Sequence, residues 1–552
     1  MSYIAITLIA YLPFQADTPK APMLWWPEAA NGVCANGVHT SYQRGVGLLD
    51  SESVMIRWEA ELPDTSISTP YLGSVVYDVD LDGVPEVLVT YQGATGSKLV
   101  VMDGPSGMIE WVWTCPNLTL DRHAPSVGDV DLDGHPEIVM RSGNVSLTDS
   151  TRVICLDGVT REVKWNKVIL PPAPGGAPNI SSPTIANLNW DPYLEIVVTG
   201  LIEGFDFAMF CLSGKDGSIL WRRDSVRTRL AACWDVNGDG ITEVIASHIP
   251  DYHLIALSGL DGSMVWHNTE TNVYAGNDGP TIADADGDGE WEIIVYGDYG
   301  SYGYNEAIFW FDGKTGALER MYLPNKHCWD SGIPITGQLD SDPALESVAW
   351  FPKTKSAICV DGASAGEQWE FSFSNSALFK GAVADMDDDG ENEVVLFSWE
   401  ENYLLCLSRT GEKKWGMDFS YLNYHVTIRP IVADVDGDGY LEIILTPAEG
   451  QGSLRVRCID NERALPAKEE EKTLRPPTML ALPGRLILTL LDPCPVDLSI
   501  YDLAGRKIGE LYKGQLPAGT YEFELTGLEP GVYVARLSYD GVMITKAVVM
   551  RR

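Results

Sequence analysis

Basic residues are scarce: 39 Lys and Arg stand against 78 Asp and Glu, a formal net charge of −39. A surface of that sign repels phosphate backbones and anionic lipid, so nucleic acid and anionic membrane are excluded as partners. Histidine is rarer still, 8 residues with no spacing pattern. No G-x-S-x-G, H-E-x-x-H or P-loop occurs, and with them go the common nucleophile, zinc-hydrolase and phosphate-cradling signatures. Long apolar runs are also missing. The longest, Tyr3 to Phe14 within residues 1–16, is too short to cross a bilayer, and no transmembrane span is expected. It reads either as the core of a signal peptide, with the usual basic start missing, or as a buried first strand.

What the chain does have is turns and aromatics: Gly 53, Pro 33, Trp 17 and Tyr 23 in 552 residues, a composition suited to a β protein of more than one domain. Of ten cysteines, Cys155, Cys211, Cys359, Cys406 and Cys458 share one place, just before a turn. Val101, Ala256 and Trp310 fill that place elsewhere, so it is a packing position and a buried free thiol is the expected state. Cys34, Cys115, Cys233, Cys328 and Cys494 follow no pattern.

The turns repeat. MDGPSGMIEW (102–111), LDGVTREVKW (156–165), LSGKDGSILW (212–221), LSGLDGSMVW (257–266), VDGASAGEQW (360–369) and LSRTGEKKW (407–415) each read as strand, tight turn, strand, and LLDSESVMIRW (48–58) belongs with them. Asp or Ser opens the turn, Gly takes the positive-φ position, and Trp anchors the return strand. The copy at 311–321 lacks its Trp.

Between these phrases stands an acidic loop with oxygen side chains at positions 1, 3, 5 and 9 and Gly at 6. The clearest copies are Asp284, Asp286, Asp288, Glu292; Asp78, Asp80, Asp82, Glu86; Asp129, Asp131, Asp133, Glu137; Asp385, Asp387, Asp389, Glu393; and Asp434, Asp436, Asp438, Glu442. One copy substitutes Asn at position 3: Asp235, Asn237, Asp239, Glu243. Two are degenerate, with Pro192 and Pro343 at position 6: Asn187, Asn189, Asp191, Glu195, and Gln338, Asp340, Asp342, Glu346. Successive copies start 51, 58, 48, 49, 54, 47 and 49 residues apart. A period near fifty with about four short strands per unit signifies a β-propeller. The last unit lacks a Trp-bearing return strand, and the orphan strand ending at Trp58 would complete it and close the ring. The expected fold is all-β: a propeller over residues 46–462, of eight blades or of seven with one irregular unit. Residues 17–45 precede it as an extension. A charged, Pro-rich linker (463–478) leads to alternating segments in 479–552, read as a small immunoglobulin-like β-sandwich.

Carboxylates at alternate positions with a Gly at the sharp turn are how a short loop wraps a hard cation, with position 7 ligating through its backbone carbonyl. The acid at 9 rather than 12, with β-branched residues following, excludes a helix–loop–helix site. The bland alternative is that the carboxylates merely cap turns. The loops hold 28 of the 78 acids, and their mutual repulsion calls for a cation. Oxygen-only ligands favour Ca²⁺, several ions in a structural role; Pro in place of Gly predicts weaker or absent metal at 187–195 and 338–346.

The loops with their flanking strands, PTIADADGDGEWEIIVYG (280–297) and RPIVADVDGDGYLEIILTP (429–447), resemble FG-GAP or VCBS repeats, the calcium-loop propeller units of integrin α-subunit heads and bacterial surface proteins. The C-terminal segment resembles the sorting domain of type IX secretion in Bacteroidetes-like bacteria, through VDLSIYDLAGRKIGEL (496–511), PAGTYEFELTGLEPGVYVARL (517–537) and ITKAVVMRR (544–552), with Asp502, Gly505, Gly519, Gly531 and Lys546 on the pattern. The family's Asn-Pro opening is represented only by DPCPVD (492–497). These resemblances imply a secreted or outer-surface protein of a Gram-negative cell, exported by the type IX machinery, that binds an extracellular carbohydrate or protein.

Residues at the start of each inner strand would face a propeller's channel: His123, Ser181, Arg229, Asp278, Lys380 and Arg429, with Tyr71 and Asp330 nearby. They form either a polar, partly cationic face for an acidic sugar or peptide, or ordinary solvated charge. Three readings follow. The chain is an adhesion or binding module, with no catalytic residue assigned; or a calcium-dependent lyase resembling rhamnogalacturonan lyases, with His123, Lys380 and Arg429 as candidates; or a structural subunit of a surface layer or filament.

Overall fold

The structure is a computed structural model whose described residues lie between Tyr42 and Met550; residues 1–41, 462–477 and shorter connections, among them 116–123, 143–149, 171–180, 325–333 and 423–429, are not described. The candidate signal peptide and nearly all of the extension and linker therefore fall outside the described residues. The chain forms two compact units, 1–462 and 463–552. Every regular element among the described residues is a strand.

In the first unit one four-stranded antiparallel pattern recurs. Gly73–Tyr77, Glu86–Gly93, Gly96–Asp103 and Ile109–Cys115 pair in chain order, and the same order returns over 126–170, 184–224, 226–267, 335–372 and 379–418. Between 273 and 322 the first strand is split, Val273–Ala275 and Thr281–Ala283 both pairing with Glu292–Tyr299. The middle strands are buried on both faces, as Glu137–Ser142 is throughout, and so read as unbroken apolar runs. The last strand alternates, as in Ile219–Asp224, where only Trp221 is buried.

The remaining sheet takes Ile431–Ala433, Tyr440–Leu445 and Arg455–Asn461, and its fourth strand comes from the other end of the unit: Val54–Glu61 pairs antiparallel with Arg455–Asn461, Trp58 opposite Cys458. One pairing has no sequence signal. Tyr42–Gly47 lies parallel to both Phe379–Asp385 and Tyr440–Leu445, joining two four-strand groups into a nine-stranded sheet. Its sequence, YQRGVG, lacks apolar alternation, so it reads as part of an extension and not as a strand.

Apolar clusters join each sheet to its neighbour. Leu88, Val101 and Trp111 pack with Val127, Ile138 and Ile154; corresponding clusters link every later pair; and Val456 and Cys458 pack with Val76, Val87 and Val100 of the first sheet. The repeated Trp does more than anchor its own strand. Its Nε1 donates to a backbone carbonyl in the turn of the next sheet: Trp58 to Gly104 (2.8 Å), Trp165 to Gly214 (2.7 Å), Trp221 to Gly259 (2.7 Å), Trp266 to Gly313 (2.9 Å), Trp369 to Arg409 (2.8 Å) and Trp415 to Leu49 (2.9 Å). Gly at the positive-φ turn position is required twice over: at Gly217 (φ 67°) a Cβ would also lie 2.6 Å from the Trp165 ring. Trp111 departs from the pattern, with no acceptor for its Nε1 and Arg161 stacked 5.3 Å from its ring centre.

Cys155, Cys211, Cys359, Cys406 and Cys458 are buried free thiols, as is Cys233. Burial pushes the Cys155 thiol well above its ordinary range. Cys34 and Cys328 lie outside the described residues, as does the Cys494 side chain.

In the second unit Thr478–Leu482, Arg485–Leu490 and Gly519–Glu524 form one antiparallel sheet, and Lys507–Leu516, Cys494–Tyr501, Gly531–Tyr539 and Val542–Met550 another. Leu486, Leu488, Val496, Leu498, Ile500, Ala535 and Leu537 make a single core from both sheets.

Candidate metal centres

Each acidic loop connects the first strand of a four-stranded pattern to the second, so all eight occupy equivalent places in their sheets. Their internal bonding repeats residue for residue. The position-9 Glu lies at or near the start of the second strand and is buried in every copy, and its Oε2 accepts the N–H of position 2: Val79 to Glu86 (2.7 Å), Val130 to Glu137 (2.8 Å), Leu188 to Glu195 (2.8 Å), Val236 to Glu243 (3.1 Å), Ala285 to Glu292 (2.6 Å), Leu339 to Glu346 (2.5 Å), Met386 to Glu393 (2.8 Å) and Val435 to Glu442 (2.8 Å). The position-5 Asp accepts from the N–H of position 7 in every copy, as Asp288 does from Glu290 (2.8 Å). Where position 6 is Gly, its N–H reaches Oδ2 of the position-1 Asp, as Gly83 reaches Asp78 at 3.0 Å. Pro192 and Pro343 have no N–H for this bond.

The other oxygen of the position-1 carboxylate accepts a loop N–H in three copies (Asp82 to Asp78 at 3.1 Å, Gly238 to Asp235 at 2.7 Å, Gly437 to Asp434 at 2.8 Å) and is left over in three. Asp129 Oδ1, Asp284 Oδ1 and Asp385 Oδ1 are shut off from solvent and have no hydrogen-bond partner. A buried, unpartnered carboxylate oxygen is costly, and a cation is what satisfies it. In the first loop, Asp78, Asp80, Asp82 and Glu86 each offer an oxygen within 4.8 Å of the others. Burial, aided by the neighbouring acids, pushes the Glu86 carboxyl up to about 8 and raises Asp78 as well. These donor sets are oxygen-rich and anionic, and they fit a hard divalent ion.

The sequence reading missed what faces each loop from its own sheet. The residue just before the Trp, on the fourth strand, points at the loop, and its identity differs from sheet to sheet. Lys164 contacts Asp131 (2.6 Å), Asp133 (2.5 Å) and Glu137 (3.0 Å). Lys414 contacts Asp387 (2.8 Å), Asp389 (2.9 Å) and Glu393 (2.7 Å). Arg57 pairs with Asp436, and with Asp460 at 2.8 Å; Arg320, on the strand without a Trp, pairs with Asp286. Gln368 donates to Asp340 (2.9 Å). Leu220 and Val265 are apolar, and in those sheets an amide inside the loop donates instead: Asn189 to Glu195 (2.8 Å) and Asn237 to Glu243 (3.0 Å). In the degenerate loop Gln338 donates to the backbone carbonyls of Asp342 (2.6 Å) and Ala344 (3.1 Å), the second being the position-7 carbonyl that a metal would otherwise contact. At the first loop that residue is Glu110, a fifth acid, raised by burial and by Asp80, Asp103 and Asp82. The signal was in the repeated phrases, as EW, KW, LW, VW, QW and KW, but only strand pairing shows where that residue points.

These basic side chains make a test possible. Lys414→Met removes the internal cation from Asp387, Asp389 and Glu393, and is expected to cost roughly 2 kcal/mol in chelator. Most of that loss should return with millimolar Ca²⁺, read as urea midpoints in each condition. A loss unchanged by Ca²⁺ would mean that the site takes no ion.

Of the candidate channel residues, His123, Asp278, Arg429, Tyr71 and Asp330 lie outside the described residues. Arg229 lies on strand Val226–Trp234 and Lys380 on Phe379–Asp385, their side chains not described. Ser181 is corrected: it is buried, and its hydroxyl accepts the Thr199 N–H at 2.7 Å, so it belongs to the sheet and not to a solvent face.

No protein-family model matches the chain, and no curated protein matches its sequence. Solved structures do resemble it, and they are β-propeller proteins. Among them are a quinohemoprotein alcohol dehydrogenase from Pseudomonas putida HK5 (12% identity, TM-score 0.51, 79% of this chain and 80% of that one) and the enzyme of the same name from Comamonas testosteroni (12%, 0.52, 79% and 80%). A europium-containing methanol dehydrogenase matches at 11% identity and TM-score 0.52, over 79% of this chain and 98% of its own. At such identities the likeness shows the fold alone: the chain contains a β-propeller. No helix among the described residues is long and apolar enough to cross a membrane.

Proposed function

We propose that the first unit is an eight-bladed propeller stapled by structural Ca²⁺, and that it works as a secreted or cell-surface module binding carbohydrate or protein. The observation that carries the reading is the pair of bonds shared by all eight loops, position 2 to the position-9 Glu and position 7 to the position-5 Asp, with the position-1 oxygen left unpartnered in the loops beginning at Asp129, Asp284 and Asp385. The eight-blade count is supported by the cyclic succession of apolar clusters, from the first sheet round to the last and back. The loops are unequal: 78–86, which faces Glu110 and makes no ion pair, binds Ca²⁺ most tightly. The loops filled by Lys164, Lys414, Arg57 and Arg320 bind it in competition with their own side chain. The loops 187–195 and 338–346, filled by amides, are replacements for metal sites.

Export supplies the second part of the proposal. Residues 479–552 carry the type IX sorting pattern on a unit with a core of its own. Deleting them in a host that has that machinery should retain the protein inside the cell. Surface display of the truncated chain would refute the assignment.

For the activity, the full chain is passed over immobilised acidic and neutral polysaccharides with Ca²⁺ present. Saturable binding, lost in chelator and without release of unsaturated product, is expected. Ultraviolet absorbance rising on incubation with pectic polysaccharide would replace the binding module with a lyase.

A further inference from the structure

Three of the eight histidines, dispersed at 248, 253 and 267 in the sequence, meet at one end of the sheet spanning 226–267. His248 ends strand Glu243–His248, and His267 ends strand Met264–His267. Between them the chain turns through Asp251 and Tyr252, which sits at φ 60° with its N–H donating to the His248 carbonyl at 2.8 Å. The turn is closed again by the His248 N–H, which donates to the His253 carbonyl at 2.8 Å. A non-glycine residue in the left-handed region is an uncommon device, and here it brings Asp251 back over the two strand ends.

The side chains converge on that carboxylate. His248 Nδ1 lies 2.8 Å from Asp251 Oδ1, and His267 Nε2 lies 3.1 Å from Asp251 Oδ2. The His248 and His267 ring centres are 4.7 Å apart, and those of His253 and His267 6.0 Å. A network built only from hydrogen bonds would satisfy these nitrogens. It does not: His267 Nε2, despite its proximity to Asp251, makes no hydrogen bond of usable geometry, and neither that atom nor His253 Nδ1 reaches solvent. The one ligand atom from each of His248, Asp251 and His267 lies within 4.8 Å of the other two. Four ligands held tetrahedrally at about 2.0–2.1 Å stand about 3.3 Å from one another, within the 4.8 Å that encloses the three ligand atoms here.

The geometry points to a site for a borderline transition-metal ion of the Zn²⁺ class, ligated by His248, Asp251 and His267 with one position left for water or a ligand. Two imidazoles and a carboxylate select such ions over Ca²⁺, which prefers oxygen throughout. The site belongs to the opposite end of this sheet from its acidic loop 235–243, since His248 and Trp234 lie at opposite ends of the paired strands. The two classes of metal therefore address different places and can be titrated separately. His253 stands beside the three ligands and supplies a second imidazole edge against His267.

The test uses the full chain saturated with Ca²⁺ and titrated with Co²⁺ as a visible-absorbing probe, then with Zn²⁺ as competitor. One equivalent of Co²⁺ with the intense visible bands of a four-coordinate ion is expected, displaced by Zn²⁺. His248→Gln and His267→Gln should each weaken binding at least tenfold while leaving the Ca²⁺-dependent melting temperature unchanged, which separates a lost site from a lost fold. His135, near Asp133 and Asp157, is another histidine with acids in reach. Co²⁺ binding that survives both glutamine variants, or that disappears in His135→Gln instead, would overturn the assignment, as would the absence of any Co²⁺ band.

Discussion

Chelating Ca²⁺ at pH 8 is expected to destabilise the first unit by about 3 kcal/mol for each ion that had been held at a hundred times its dissociation constant, and by far less at pH 5. The direction follows from the position-9 glutamates. Burial is the largest influence on each and pushes the carboxyl up: to about 7 for Glu137, Glu195, Glu243, Glu346 and Glu393, to about 8 for Glu86 and Glu292, and to about 10 for Glu442. A carboxyl raised on folding stabilises the fold fully below its unfolded value, about 4.3, and that contribution is lost as pH climbs through the folded value. Without metal, then, the chain should weaken steadily from pH 5 to pH 8. Ca²⁺ binds the ionised carboxylates, so its stabilising effect grows over the same interval. Scanning calorimetry with Ca²⁺ and with chelator at pH 5, 6.5 and 8 should show two melting temperatures that separate as pH rises. Superimposed curves at pH 8, or a wider gap at pH 5, would remove the structural role assigned to Ca²⁺. Within this response, Asp78→Asn with Asp80→Asn should abolish the tightest binding step, because loop 78–86 has no basic side chain to fall back on.

Much of this arrangement was legible because it is local. Asp78, Asp80, Asp82 and Glu86 lie within nine residues, and alternate carboxylates around a positive-φ Gly83 can fold only a few ways. The turn phrases were legible for the same reason: Asp103 accepts from the Ser106 N–H three residues on, at 2.9 Å. What was hidden is everything that depends on how one strand lies beside another. Lys164 reaches Asp133 across 31 residues, and Trp165 reaches Gly214 across 49. Both directions depend on strand twist and on the stacking of neighbouring sheets, and neither leaves a mark in periodicity. The loop repeat therefore showed where the acids are without showing which of them already have a partner. The His248, Asp251 and His267 group was hidden in the same way, its members divided between two strand ends and a turn.

Trp58 holds the place in the ring where the two ends of the unit meet, and Trp58→Ala is expected to cost about 3–5 kcal/mol. The fourth strand of the last sheet, Val54–Glu61, is attached by pairing on one side only, to Arg455–Asn461. What holds its other face is Trp58, packed with Val76, Val87 and Val100 of the first sheet, its Nε1 donating to Gly104 and its ring covering Gly107. Its partner lies 46 residues on, a separation like those of most other Trp contacts, whereas Trp415 reaches Leu49 across 366 residues; what sets Trp58 apart is that its own strand is joined to the last sheet by pairing alone. Removing the indole should therefore free Val54–Glu61 as a unit and expose the Arg455–Asn461 edge, giving new proteolytic cuts between residues 48 and 64 before global unfolding. Trp58→Phe keeps most of the apolar body and loses the hydrogen bond, and should cost about 1–2 kcal/mol. Gly107→Ala attacks the same contact from the other side: at φ 67° its Cβ would stand 2.4 Å from the Trp58 ring, so both backbone and ring must shift, at about 2 kcal/mol or more. Because both changes act on one contact, the double variant Trp58→Ala with Gly107→Ala should be less damaging than the sum of the two. Denaturant midpoints for the four proteins decide it: an additive pair, or a Trp58→Ala chain within about 1 kcal/mol of the parent, would mean that the ring is closed by something other than this tryptophan.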